Sequence, residues 1–136
     1  MNIFKYIPLF LYLLIAYLVI FYMLGDSAVS SLSAIIYQFT LFSGAVFKLS
    51  WNGVLLTLGV FFLFIEIIKS TRTTNASIID HILSGLVFIG FLIVFIIKPQ
   101  AANEAFFILM LMSLLDVVAG FSITITSARK DFSLHH

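Results

Sequence analysis

Four stretches of about twenty residues, each nearly free of charge, leave this chain little choice of fold, because a helix needs about 17–25 apolar residues to cross some 30 Å of hydrocarbon. The first, "IPLFLYLLIAYLVIFYML", covers residues 7–24 and stops at Gly25-Asp26. The second, "WNGVLLTLGVFFLFIEIIK", covers residues 51–69 and holds Glu66 near one end. The third covers residues 77–98, with Asp80 and His81 in its first turn. The fourth covers residues 104–127, opened by Asn103 as a helix cap and closed by Arg129-Lys130. The expected architecture is therefore an all-α membrane protein, a four-transmembrane-helix bundle forming one domain over residues 1–136.

Composition agrees with that reading. The chain is 62% hydrophobic and only 10% charged, against about 25% charged in an ordinary soluble domain. Sixteen Phe beside two Pro suit contact with hydrocarbon. A formal charge of +1, with basic residues scattered in ones and twos, argues against nucleic acid as a partner. The lack of Cys excludes disulfides and thiolate metal sites. The first run is too long for the 7–15-residue apolar core of a signal peptide and reads as a true span.

The positive-inside rule supplies an orientation. Lys5, Lys69, Arg72, Arg129 and Lys130 fall on one side, whereas the other carries Lys48 and Lys98, countered by Asp26 and Glu104. Both termini are thus expected in the cytoplasm. The segment between spans one and two, residues 35–50, alternates through Tyr37, Phe39 and Leu41, turns at Ser43-Gly44, and alternates again through Phe47 and Leu49. That pattern reads as an extracytoplasmic β-hairpin lying on the helix ends or against a partner. An interfacial helix through "SSLSAIIYQF" is the competing reading.

The runs "FSGAVFKLSWNGVLLTLGV", "FIEIIKSTRT" to "NASIIDH" and "LLDVVAGFSITITSARKDF" carry a resemblance to a family of small, uncharacterised bacterial four-helix membrane proteins. The resemblance covers about the last two-thirds of the chain. It implies this architecture and a bacterial inner-membrane setting, and it brings no activity or site residue with it.

Ionisable groups inside spans are costly and usually face the bundle interior, so each is a site candidate. Ser77 and Asp80 fit a capping box, S-x-x-D, at a helix start. Glu66 has Lys69 three residues on and Arg72 in the following loop, which fits an ion pair near the membrane boundary or a proton-entry role. His81 titrates near neutrality in water but also serves as an interfacial hydrogen-bonding residue. Asp80 and His81 project about 100° apart on a helix and cannot readily chelate one ion, so no metal and no cofactor is expected. Asp116, in "LMSLLDVVAGF", sits about 15 Å below the Arg129 end, near the midplane, with no Lys or Arg at that depth. It shares a small and polar stripe with Ser113, Gly120 and Thr124, the kind of face on which membrane helices pack closely. Counting places Tyr17 and Thr57 at its level, as hydrogen-bond partners for a neutral carboxyl.

Three functions fit these residues. The leading one is a non-enzymatic accessory or scaffold subunit of a membrane assembly, with Asp116 as interhelical glue. The second is a homo-oligomeric ion or proton channel, or small transporter, using Asp116 and Glu66. The third is a lipid-modifying membrane enzyme built from Glu66, Arg72, Asp80 and His81. Partners are then the bilayer and either further copies of the chain or other membrane proteins.

Overall fold

The computed structural model describes residues 7–71 and 75–134. Helix α1 runs Leu9–Leu24, followed by a short 3-10 turn, Gly25–Ser27, and a second helix α2, Ala28–Ser33. Strands β1 (Ile35–Thr40) and β2 (Val46–Ser50) lead directly into α3 (Trp51–Lys69). After the connection come α4 (Asn75–Ile97), a 3-10 turn at Pro99–Ala101, and the long α5 (Glu104–Leu134). Helix segments within Leu9–Ser33, Trp51–Lys69, Ile78–Ile97 and Glu104–Ile123 are long and apolar enough to span a bilayer. The chain is a multi-pass membrane protein with a two-stranded antiparallel hairpin between spans one and two.

Local sequence explains where the helices start and stop. Gly25 adopts φ 55°, a left-handed conformation that costs glycine little, and its N–H donates to the Phe21 carbonyl to end α1. Ser50 opens α3 by accepting from the Gly53 N–H at 3.2 Å. Asn103 opens α5 in the same way, accepting from Phe106 N–H at 2.9 Å while its amide donates to the Gln100 carbonyl. Ser77, by contrast, lies inside α4, which runs from Asn75, rather than just before it. Helix α5 continues to Leu134, well past the boundary at 127 that the Arg129-Lys130 pair suggested.

The spans alternate in direction. The start of α1, the end of α3 and the start of α4 meet at one end of the bundle, called here the Lys69 end, and the hairpin marks the other. Helix α5 packs most extensively on α4 and α3, while α1 closes the far side against the same two helices. Close approach depends on glycine: a Cβ on Gly59 of α3 would strike the Leu109 side chain of α5, and one on Gly90 of α4 would lie 2.8 Å from Leu14 of α1. Toward the hairpin end the core is aromatic. The Phe106 ring sits at centroid distances of 5.1 Å from Tyr17, 6.1 Å from Phe21 and 5.4 Å from Phe91.

The hairpin pairs Tyr37 with Leu49, Gln38 with Lys48, Phe39 with Phe47 and Thr40 with Val46. A register shift between Ile35 and Tyr37 bends its base. Gly44, at φ 89°, makes the turn, in which the Leu41 N–H donates to the Ala45 carbonyl. Tyr37, Phe39 and Phe47 form one aromatic face, with centroid separations of 5.8 and 5.3 Å. That face is exposed, as is Phe42 at the tip, so the hairpin does not fold down onto the helix ends.

Candidate functional site: a buried polar cluster at the Lys69 end

Near the Lys69 end, three helices turn polar side chains inward. Glu66 of α3, Asp80, His81 and Ser84 of α4, and Ser113 and Asp116 of α5 are each no more than 2% exposed. Charged groups are rarely buried so fully unless they are tied to one another.

The ties run between helices. Glu66 Oε1 accepts from the Leu9 N–H at 2.9 Å, filling one of the donors left open at the start of α1. A carboxylate there also faces the positive end of that helix dipole. Lys69 Nζ lies 3.1 Å from Glu66 Oε1 and 3.5 Å from Asp80 Oδ1, and it donates to the Ile7 carbonyl at 3.4 Å. One ammonium group therefore joins α1, α3 and α4. The Glu66 and Asp80 carboxyls are thus gathered around one ammonium. Ser84 Oγ donates to the Asp80 carbonyl at 2.9 Å and is also within reach of the Asp116 carboxyl, which brings in α5.

His81 shapes the α4–α5 contact. A Cβ on Gly120 would come within 2.7 Å of its imidazole, so that glycine makes room for the ring. The imidazole also stands 5.4 Å from the Phe121 ring centroid. Among the described residues, no group of three His, Asp or Glu side chains is disposed to hold a metal ion.

Several expected placements change. Asp116 is buried and comes within reach of Ser84 of α4, one turn beyond Asp80 on that helix. Tyr17 does not meet it. The Tyr17 ring packs on Phe106, about 15 Å along α5 from Asp116, and its buried hydroxyl has no partner among the described residues. Thr57 is exposed and donates to the Gly53 carbonyl of its own helix. Arg72 lies outside the described residues. Lys69 pairs with Glu66 as its spacing suggested and also reaches Asp80, while Ser84 gained a role that sequence reasoning did not give it. The signal for Ser84 was its spacing, four residues after Asp80 on the buried stripe that continues through Val87 and Phe91.

Compared with protein-family models, curated proteins and solved structures, the chain matches none. Any functional reading therefore rests on the cluster and the surfaces themselves.

Proposed function

We propose that this chain is a non-enzymatic accessory subunit of a membrane assembly, seated in a bacterial inner membrane with its Lys69 end in the cytoplasm. The observation that carries this reading is how the buried polar groups are used. Glu66, Lys69 and Asp80 are engaged in fastening helix ends to one another, the role of interhelical polar glue in a membrane bundle. The orientation follows the basic residues: Lys5, Lys69, Arg72, Arg129 and Lys130 against Lys48 and Lys98.

A channel within one chain is disfavoured by the aromatic core. Tyr17, Phe21, Phe91 and Phe106 fill the bundle between the cluster and the hairpin end. The hairpin, in turn, favours a partner. Two strands alone are marginal in water, and here the aromatic face of Tyr37, Phe39 and Phe47 has no cover among the described residues. Its open backbone edges cannot sink into hydrocarbon without losing hydrogen bonds.

The test is to purify wild type and a Phe39→Ser/Phe42→Ser double variant from the native membrane and compare what accompanies each at fixed stoichiometry. The reading expects a defined companion polypeptide with wild type that is lost with the variant, while the variant's helix content and thermal unfolding stay unchanged. Identical companions, or none with either, would count against it.

A further inference from the structure

The cluster has acceptors without donors. Among the described residues, Glu66 Oε2 and Asp116 Oδ2 are buried with no hydrogen-bond partner, and so is the hydroxyl of Ser113, one turn before Asp116 on the same face of α5. Buried polar atoms of this kind are rare in folded proteins and call for an explanation. The charged and titratable groups facing the centre can be named helix by helix. Helix α1 offers the Leu9 N–H and, just before it, the Ile7 carbonyl. Helix α3 offers Glu66 and Lys69, α4 offers Asp80 and His81, and α5 offers Asp116. Lys69 is the described cation that reaches the carboxyl groups, and it reaches two of the three.

We propose that the cluster is a proton-binding site in which Glu66 and Asp80 share one proton, with Asp116 as a neighbouring acceptor, and that it exchanges only through the Lys69 end. Glu66 and Asp80 stand against the same Lys69 ammonium, at 3.1 and 3.5 Å, and two carboxyl groups gathered there have no hydrogen to place between them unless one is protonated. A shared proton supplies the missing donor to Glu66 Oε2 and leaves the other carboxylate to Lys69. Two ionised carboxylates side by side in a dry bundle repel one another strongly, which a single ammonium cannot fully offset. A proton suits the site better than a metal ion, because it needs two oxygens rather than a chelating set, and among the described residues three ligating acid or imidazole groups are not so arranged. Lys69, at 20% exposure, marks the way out. On the other side the aromatic core around Phe106 closes the path. The site stores a proton from one face; it does not pass one across.

Infrared spectroscopy of the full chain in lipid nanodiscs at neutral pH tests this. Preparations labelled with carbon-13 at the Glu carboxyls or at the Asp carboxyls assign the signal without any mutation. The expected result is a protonated-carboxyl band that shifts in heavy water, moves with at least one of the two labels, and is lost in Glu66→Gln/Asp80→Asn. Absence of that band from wild type at neutral pH would overturn the proposal, as would a band that persists unchanged in the double variant. If the band is absent and sodium titration instead broadens the sodium resonance, the site holds a metal cation and the proposal also fails. If the double variant does not fold, label sensitivity in wild type still decides whether a Glu or Asp carboxyl carries the proton.

Discussion

At the scale of single residues, burial alone does not say what a polar side chain is for. Glu66, Asp116 and Tyr17 are all buried, yet Glu66 is bonded to α1 and Lys69, Asp116 approaches Ser84, and the Tyr17 hydroxyl ends among rings. Removing that hydroxyl takes away an unsatisfied group. Tyr17→Phe should therefore leave stability unchanged or raise it by about 1 kcal/mol in a reversible unfolding assay in detergent; a loss of that size would reveal a partner. Glu66 should behave in the opposite way. Glu66→Leu strands the Leu9 N–H and takes from Lys69 its nearer carboxylate, and should cost about 3 kcal/mol or more, whereas Glu66→Gln keeps an acceptor for Leu9 and should cost clearly less. Equal losses would mean that the carboxylate does not tie α1 to α3. Gly120→Val forces a side chain into the His81 imidazole and should cost about 1–3 kcal/mol. Gly85 has open space around its missing Cβ, so Gly85→Ala is the matched control.

At the scale of elements, the spans and the hairpin were legible because their signals are local. Apolar length defined α3 at Trp51–Lys69, Asn103 marked the start of α5, and alternation about Ser43-Gly44 marked the turn. The Ala28–Ser33 helix went unread, since six residues give too little periodicity to register. The end of α5 was misplaced because a basic pair was taken as a terminus, whereas the helix continues through it. The members of the site were legible, but their meeting was not. Helix pairing and register, which bring Glu66, Asp80 and Asp116 together, are long-range facts that a single sequence does not carry. The hairpin rests on the bundle chiefly where β2 joins α3. Without a partner, its amides should exchange with solvent at a lower opening free energy than those of α4 and α5. Protection of hairpin and spans to the same degree in the isolated chain would contradict that.

For the whole molecule, the bundle divides into a polar end and an aromatic end, and this division limits what one chain can do. Liposomes containing the monomer should show no proton or sodium flux above empty liposomes, as read by an entrapped pH dye or by tracer uptake. Sustained flux from monomers would mean that the rings around Phe106 do not seal the interior. The central claim remains that the chain works as part of something larger, its polar groups spent on holding four spans together and its hairpin left for another protein. Native mass spectrometry of the protein, extracted from its own membrane in mild detergent, tests this most directly. The account predicts a complex of fixed stoichiometry with at least one different polypeptide. A folded monomer alone, or a clean homo-oligomer, would contradict it.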